Sequence, residues 1–445
     1  MITRQARFTQ KAREEPETRF TALMGLVFDP AELHASFERQ KGNKAPGVDG
    51  MKKADYAEGL EARIEALSAR VRRMGYQPQP VRRAYIPKGN GKRRPLGVPC
   101  FEDRLVQDRL SQILQAIYEP EFRDCSYGFR PGRSAHDALR RLAEVITHEK
   151  TQWVVEADVQ SFFDQVSHAH MVRFLEQRIA DPNFLRLIQR FLKAGVLEDG
   201  HWYASEQGTP QGGLVSPVLS NIYLHSVLDV WFEQDYTATC QGKAYLVRYA
   251  DDFVACFERE DDARRFREVL TERLAAYGLA VEPSKTAVLR FGSQALRPGH
   301  VDGLKRPQTF AFLGFTHYVS RSRTGRFVVG RKTEGQRFRS KLKQLSERLR
   351  ALRVQGGKAM LAFLCAHLRG HIQYYGVSGN SRSLRCYRYV AGRLLFKWLN
   401  RRSQRRSIPW ARFGPVLDRL LPKPRIVHPL YPMPKWMTQT GSRMV

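Results

Sequence analysis

The sequence contains few cysteines and no long apolar run. Its six cysteines are scattered through 445 residues, and no two of them form a Cys-x-x-Cys pair. A disulfide framework or a zinc knuckle is therefore not expected. No apolar run approaches the roughly 20 residues of a membrane-spanning helix, and the mean hydropathy is −0.47. The N-terminus also lacks the apolar core of a secretory signal, so we expect a cytoplasmic protein with no membrane partner.

Acidic residues are scarce in the last part of the chain. Residues 321–445 hold 29 Lys and Arg against 3 Asp and Glu, and they carry +26 of the net charge of +30. The preceding 320 residues are nearly balanced. Such asymmetry is typical of a protein that binds a polyanion. A membrane-surface helix would be one short segment, so the extent of the basic region favours nucleic acid.

The first half of the chain shows alternating and helical patterns. Asn90-Gly91, a strong hairpin signal, separates two extended runs over 83–87 and 93–98. Amphipathic periodicity predicts helices over 103–119 and 135–149. The segment 153–159 is a predicted strand that carries the carboxylate Asp158 near its end.

The second half continues these patterns. Ser216-Pro217 is a predicted helix start with Ser216 as the N-cap, and Gly278 is a predicted helix end. Short strands are predicted over 246–249 and 253–257. Past residue 320 the pattern predicts helices, with one apolar stripe formed by Leu342, Leu345, Leu349 and Leu352. This order favours an α+β fold with helices on one face of the sheet.

Three aspartates are the candidates for chemistry. Asp158 lies near the end of a predicted strand, and Asp251 and Asp252 lie at a predicted hairpin tip. Adjacent carboxylates in an apolar hairpin repel each other unless a cation lies there. Ligands that offer only oxygen favour Mg²⁺ over Zn²⁺. A pair of Mg²⁺ ions at these residues would suit phosphoryl transfer. An isolated Asp-Asp pair is usually only a solvated turn, so this interpretation depends on the surrounding motifs.

Those surrounding motifs resemble the ordered series of the reverse transcriptases. The hairpin Leu246–Phe253 resembles their metal-binding hairpin, and Asp158–Asp164 resembles their other aspartate motif. The remaining motifs match the fingers hairpin, the segment before the first aspartate, the helix-opening motif and the two closing palm motifs. They are Ile86-Pro87-Lys88 with Arg94-Pro95-Leu96-Gly97, Tyr127–Ser134, Gly208–Pro217, Gly278-Leu279 with Lys285-Thr286, and Phe312–Phe315.

The resemblance is closer still to one branch, the group II intron-encoded reverse transcriptase/maturases. Asn43–Gly50 resembles their N-terminal extension loop. Leu368–Gly376 and Phe396–Arg402 resemble their maturase thumb. No segment resembles the Cys-paired endonuclease domain of many intron-encoded proteins, so we expect an endonuclease-lacking form in which priming comes from elsewhere.

The resemblance implies a role for each matching residue. Asp158, Asp251 and Asp252 would be catalytic and hold the metals, with the Val159 carbonyl as a backbone ligand. The residues that would bind the incoming dNTP are Lys88, Arg94, Phe163, Gln211 and Lys285. Phe163 would block a ribose 2′-OH, and Lys285 would donate a proton to pyrophosphate. Phe163 could also be an ordinary core residue, and Lys285 a solvated lysine.

The implied architecture is a right-hand polymerase followed by an all-α thumb. The expected divisions are an N-terminal extension over 1–60, fingers and palm over 61–318, a maturase thumb over 325–420 and a basic tail over 421–445. Arg401, Arg402, Arg405 and Arg406 form the densest basic cluster. On a helix they would make two adjacent rows, and we expect them to bind RNA.

The implied activity is RNA-directed DNA synthesis from a primer, with two Mg²⁺ ions as cofactors. The expected partners are a group II intron RNA, whose splicing and retrohoming the protein would promote, an RNA template with a DNA primer, and dNTPs. Two alternatives stay open: a domesticated relative that serves phage defence or DNA repair, and an RNA-binding maturase that acts only in splicing. An RNA-dependent RNA polymerase is disfavoured by Phe163.

Overall fold

The structure is a computed structural model that describes residues 4–87, 93–209, 212–296, 307–401 and 407–432. The N-terminal part is mainly helical and contains one hairpin. Its elements are α1 Arg4–Glu14, α2 Met24–Val27, α3 Pro30–Arg39, α4 Lys53–Ala57, α5 Leu60–Arg72, β1 Val81–Pro87, β2 Arg93–Val98 and α6 Phe101–Tyr118.

The middle of the chain alternates helices with short strands. Its elements are α7 Ala135–His148, β3 Trp153–Asp158, α8 Phe162–Gln165, α9 His168–Glu176, α10 Pro182–Leu192, β4 Val196–Glu198, β5 His201–Tyr203, α11 Ser216–Leu224, α12 Thr237–Thr239, β6 Ala244–Tyr249, β7 Asp252–Phe257, α13 Glu260–Ala276, β8 Ala287–Arg290, β9 Phe310–Phe312, β10 Phe315–Arg321 and β11 Phe327–Thr333. Two π-helical stretches, His225–Asp229 and Trp231–Tyr236, continue α11.

Four helices follow: α14 Gly335–Leu352, α15 Gly357–Tyr375, α16 Ser381–Asn400 and α17 Trp410–Leu420. We call them the C-terminal helices. The predicted leucine stripe lies on α14, where Leu345, Leu349 and Leu352 are buried and Leu342 is partly buried against the same cluster. In the part of the chain that the structure describes, none of the helices combines the length and apolar character that crossing a bilayer requires.

The strands form three sheets. The first sheet has the order β2-β1-β4-β5, the central sheet β6-β7-β3-β8 and the third sheet β11-β10-β9. The central sheet is antiparallel throughout. Its strands alternate between two hydrophobic clusters, as period-2 geometry requires. Val155 and Ala157 face one cluster, whereas Val154 and Val254 face the other.

Three predictions about local structure were wrong. Helices do not cover only one face of the central sheet: α13 packs on one face, while α7 and the third sheet cover the other. The chain past residue 320 is not helical at once, because β11 pairs with β10 over Phe327–Thr333. Ser216 is the first residue of α11 rather than its cap, since Val215 holds the N-cap position and Pro217 lies in the first turn.

Candidate active site

The central sheet brings the three predicted aspartates together. Asp158 is the last residue of β3 and Asp252 the first of β7, and their Cα atoms are direct partners in the antiparallel ladder. Asp251 lies in the two-residue turn between β6 and β7. Direct partners project their side chains to the same face of a sheet. The three carboxylates therefore lie at one end of the sheet.

The three carboxylates repel one another. Burial and the charge of Asp158 raise the pKa of Asp251. Burial and the charges of Asp251 and Asp158 raise the pKa of Asp252 to about 7. A bound cation would remove this repulsion and hold both groups ionised. The donor set, oxygen only and negatively charged, thus fits hard divalent cations.

Lys285 lies against the same group. Its Nζ donates a hydrogen bond to Asp158 Oδ2, and this bond is the main cause of a raised lysine pKa. The side chain is otherwise exposed, at 63% of its surface. Among the residues that the structure describes, no three His, Cys, Asp or Glu side chains are grouped as a ready metal cage.

Val159 follows directly after β3. Its side chain is a buried hydrocarbon with no donor atom, so only its backbone carbonyl could serve as a ligand. The backbone is held on both sides, since Glu282 N donates to Asp158 O at 2.8 Å and Gln160 N donates to Ala280 O at 2.8 Å.

A buried arginine fixes the hairpin that carries Asp251. Arg248 is completely buried and forms an ion pair with Asp229 on the π-helical stretch after α11. It also donates to Asn221 Oδ1 at 3.1 Å and to Ala250 O at 3.0 Å. Ala250 has a φ of 57°, a left-handed conformation that a non-glycine residue adopts at a cost. Arg248 therefore stabilises the turn that positions Asp251.

The segment before the first aspartate supports the hairpin from outside. Tyr127 N donates to Arg248 O at 2.8 Å. Asn221 Nδ2 donates to Gly128 O at 2.7 Å. A Cβ at Gly128 would lie 2.4 Å from Ala250 N, so only glycine permits this approach. The motif over 127–134 thus has a structural role at the hairpin.

Phe163 lies beside an open cleft. The ring is half-buried and packs on Phe162, with ring centroids 5.4 Å apart. Its other side lines a cleft of about 630 Å³ together with Arg83, Gly97 and Thr209. Thr209 N donates to Phe163 O at 2.7 Å, which links the helix-opening motif to this residue. Phe163 is therefore both a packing residue and a wall of the cleft.

Arg94 reaches the aspartates electrostatically. It is exposed on β2, where it pairs with Ile86. Its positive charge lowers the pKa of Asp251, against the larger effect of burial. The first sheet therefore presents a cation toward the end of the central sheet.

Two further charged residues lie near the aspartates and were not predicted from the sequence. Glu156 lies two residues before Asp158 on the same strand face, and burial raises its pKa to about 7. Strand alternation alone could have identified it. Arg337 on α14 lowers the pKa of Asp252 by its charge and lies 3.0 Å from Glu334. No local pattern links α14 to the aspartates, so this contact required the tertiary structure.

Several predicted residues lie outside the described ranges. They are Lys88, Gln211, Arg402, Arg405 and Arg406. Arg401 is described: it caps α16 after Asn400 and is exposed, with its guanidinium 5.4 Å from the centre of the Trp398 ring.

Comparison with known proteins identifies the family. Residues 86–317, more than half of the chain, match the family model described as reverse transcriptase (RNA-dependent DNA polymerase). The chain belongs to the reverse transcriptase family. Reverse transcriptases work with divalent metal ions, in agreement with the oxygen-only site.

Individual relatives show where the chain falls within the reverse transcriptase family. Protein YkfC of Escherichia coli is 32% identical over 381 residues, which cover 78% of this chain and 95% of that protein. The group II intron-encoded protein LtrA of Lactococcus lactis is 38% identical over 223 residues, 50% of this chain and 37% of LtrA. A 91 kDa protein in the cob intron of Schizosaccharomyces pombe is 38% identical over 53% of this chain and 30% of its own length.

These relatives confirm the predicted branch, the group II intron-encoded reverse transcriptase/maturases, and with it the predicted enzyme class. The chain spans about a third of the length of the two intron-encoded relatives. Among solved structures, Candida albicans telomerase in complex with a telomeric RNA fragment gives a TM-score of 0.44 at 12% identity, over 83% of this chain and 66% of that chain. That likeness is too weak to bear on function.

Proposed function

We propose that this reverse transcriptase extends a DNA primer on an RNA template at Asp158, Asp251 and Asp252, and that its C-terminal helices bind a group II intron RNA. One observation carries the first part. Asp158 and Asp252 are partners across β3 and β7, and Asp251 adjoins them. The charge of Asp158 raises the pKa of Asp251, and the charges of Asp251 and Asp158 raise the pKa of Asp252. Such a site is built to receive positive charge.

The expected cofactor is a pair of Mg²⁺ ions held by the three carboxylates and the Val159 carbonyl. When bound, the ions would activate the primer 3′-hydroxyl and stabilise the departing pyrophosphate. The protein supplies the framework: the β3–β7 ladder fixes two of the ligands, and Arg248 fixes the turn that carries the third.

Basic side chains would receive the triphosphate. Arg94 already acts on Asp251 by its charge, and Lys88 follows the paired strand β1. Cations placed there neutralise charge that develops on the leaving group. In this arrangement Lys285 is protonated, because its hydrogen bond to Asp158 raises its pKa. Protonated beside Asp158, Lys285 Nζ would be placed to donate its proton to pyrophosphate.

Selection of the nucleotide would depend on the cleft wall. Phe163 packs on Phe162 and lines the cleft, and its ring would exclude a 2′-hydroxyl by its bulk. Gln211 is two residues after Thr209, whose backbone N donates to Phe163 O, and we assign Gln211 to the nucleotide or the templating pair.

The C-terminal helices would bind the intron RNA. We keep the proposed division into an N-terminal extension over 1–60, fingers and palm over 61–318, thumb over 325–420 and tail over 421–445. Its palm–thumb boundary falls within the β10–β11 hairpin, which joins the two parts. The thumb has its own core of α14 to α17 and contains most of the excess positive charge. A vestigial polymerase would have no reason to keep three mutually repelling carboxylates, which disfavours a splicing-only role.

The test combines activity with the identity of the bound RNA. The purified full chain is given an RNA template, a DNA primer, dNTPs and Mg²⁺, and RNA that co-purifies with it is sequenced. We expect dNTP-dependent extension and a co-purified group II intron RNA. Extension together with co-purified RNA that is unrelated to any intron would support the domesticated alternative. Intron RNA without extension would support the splicing-only alternative.

A further inference from the structure

A second concave site lies on the β10–β11 hairpin. It is a pocket of about 570 Å³ between this hairpin, the end of α7 and the chain at Tyr431. We call it the hairpin pocket. The lining residues that matter to its chemistry are His148, Tyr318, Arg321, Arg323, Arg326 and Tyr431.

Strand alternation builds the floor of the hairpin pocket. His317 and Val319 on β10 are buried, so Tyr318 and Ser320 between them project to the opposite face. Tyr318 pairs with Gly330 on β11. A Cβ at Gly330 would lie 2.4 Å from the Tyr318 ring, so glycine lets the ring lie against the strand. The result is a flat aromatic surface inside the pocket.

A basic turn forms one wall. Arg321 ends β10, and Arg323 and Arg326 lie in the turn to β11, all three exposed. Ser322 orders this turn, since its backbone N donates to Arg326 O at 2.7 Å and its Oγ accepts from Arg326 N at 3.1 Å. Within the described ranges, no carboxylate lies at ion-pairing distance from these arginines. Their charge is therefore available to a ligand.

The hairpin pocket is separate from the active site. It shares no lining residue with the cleft beside Phe163. β11 is the edge strand of the third sheet, and β9, at the opposite edge, is the strand next to Glu156, whose Oε1 accepts from Ala311 N at 3.3 Å. A ligand in the hairpin pocket would thus lie away from the site of nucleotide addition.

We propose that the hairpin pocket binds single-stranded RNA, with Arg321, Arg323 and Arg326 on phosphates and a base stacked on Tyr318. Tyr431 is 45% exposed, and its pKa is raised by burial and then by Tyr318, so the two phenols are neighbours. Arginines beside aromatic rings that line a pocket suit single strands, whose phosphates bind the cations and whose bases stack on the rings. An acidic protein segment could use the arginines but gains little from stacking surfaces. This inference rests on the proposed function, in which RNA is the natural ligand.

The test measures RNA binding by the full chain as salt is varied, with 20-nucleotide oligouridine as the probe. One variant combines Arg321→Ala, Arg323→Ala and Arg326→Ala. The control combines Arg173→Ala, Arg186→Ala and Arg267→Ala, which removes the same charge from exposed positions on α9, α10 and α13. Each phosphate contact contributes about −0.7 to the salt slope for a single strand, so the pocket variant should flatten the slope by about two units. The control should leave it nearly unchanged.

Stacking is tested by Tyr318→Ala and Tyr318→Phe. The alanine variant should bind oligouridine about five- to a hundredfold more weakly, whereas phenylalanine keeps the ring and should bind like wild type. Both arginine variants should extend a short primer at the wild-type rate. Failure of wild-type extension would overturn the proposed activity, while the binding comparison would still test the pocket.

Equal salt slopes for the pocket variant and the control would overturn the proposal. So would unchanged binding by a folded Tyr318→Ala protein. A polyglutamate peptide that binds wild type and loses binding in the pocket variant, with the RNA slope unaffected, would instead make the hairpin pocket a site for acidic protein.

Discussion

At the scale of single residues, Asp158 and Asp252 show how strand register creates a site. Each carboxylate ends or begins a strand, and the ladder sets the two side by side. The raised pKa values of Asp251 and Asp252 mean that ionising these two groups costs free energy in the folded protein when no cation is bound. Active sites commonly retain such destabilising groups because the chemistry needs them.

The aspartates give the first prediction. Asp158→Asn or Asp251→Asn should slow primer extension at least about a thousandfold, roughly 4 kcal/mol of lost transition-state stabilisation, because a neutral amide holds a divalent cation poorly. RNA binding should stay within a few-fold of wild type. Single-turnover primer extension and filter binding measure the two effects.

The control for the aspartates is Asp235→Asn, an exposed acid outside the site. It should extend primers normally. Near wild-type extension by either active-site variant would contradict the assignment of the metal ligands.

Phe163 gives the second prediction. Phe163→Ala should weaken discrimination against ribonucleotides by about tenfold or more, because the cleft wall loses its steric block. Incorporation of rNTPs and dNTPs opposite the same template base measures the ratio. Phe28→Ala, another half-buried phenylalanine that packs on the same core, controls for loss of packing. If both variants reject ribonucleotides as strongly as wild type, Phe163 is only a core residue.

At the scale of elements, the sequence correctly predicted the helices and strands that have a local pattern of their own. The hairpin over 83–98, the helices α6 and α7 and the strands β3, β6 and β7 have local signals, which put Asp158 near a strand end and Asp251 and Asp252 at a hairpin tip. That these ends meet follows from the pairing of β3 with β7, which was expected from the family resemblance rather than from any local pattern. The partners of Arg248 could not be predicted, because Asp229 comes from a π-helical stretch that no periodicity marks. β11 was missed because Arg331 and Lys332 were included in the basic region that was expected to be helical.

The helix α15 gives the third prediction, which concerns pH. His371 is 4% exposed and stacks on Tyr387 at 3.7 Å, and burial lowers its pKa to about 3. Between pH 3 and 6.5 the unfolded chain therefore binds more protons than the folded chain at this residue. Its contribution to stability is complete above pH 6.5 and is lost as the pH falls, by about 2 kcal/mol at pH 5.

His371→Phe preserves the stacked ring and removes the titration. We expect the free energy of unfolding of this variant to fall less than that of wild type between pH 8 and pH 5. Urea unfolding at the two pH values measures the difference. His201→Phe, at an exposed position on β5, should keep the wild-type pH dependence. Parallel pH profiles for wild type and His371→Phe would show that His371 does not titrate in this range.

At the scale of the whole molecule, the excess positive charge and the three carboxylates lie in different parts of the chain. The carboxylates proposed to hold cations lie at one end of the central sheet, whereas +26 of the net charge of +30 lies in residues 321–445. Affinity for RNA and the rate of nucleotide addition should therefore respond to different substitutions. A polymerase that must hold a structured RNA while it copies a strand would benefit from this separation, because binding can be strong without occupying the catalytic cleft.

The arginine cluster after α16 gives the last prediction. Changing Arg401, Arg402, Arg405 and Arg406 to Ala should flatten the salt dependence of RNA binding by about two to four units, if each contacts one phosphate. Of these, Arg401 is the one described, exposed beyond the end of α16. Splicing assistance should fail before short-primer extension does, because the three aspartates are untouched.

The matched control removes the same charge from the palm, through Arg173, Arg186, Arg264 and Arg267 to Ala. It should change the slope little, since these arginines lie on α9, α10 and α13 rather than in the basic region. Circular dichroism establishes that both variants are folded. An unchanged slope in the folded cluster variant would mean that the RNA is held elsewhere, and the N-terminal extension and the hairpin pocket would be the next surfaces to test. A slope that falls equally in both variants would mean that binding follows total charge rather than a defined surface.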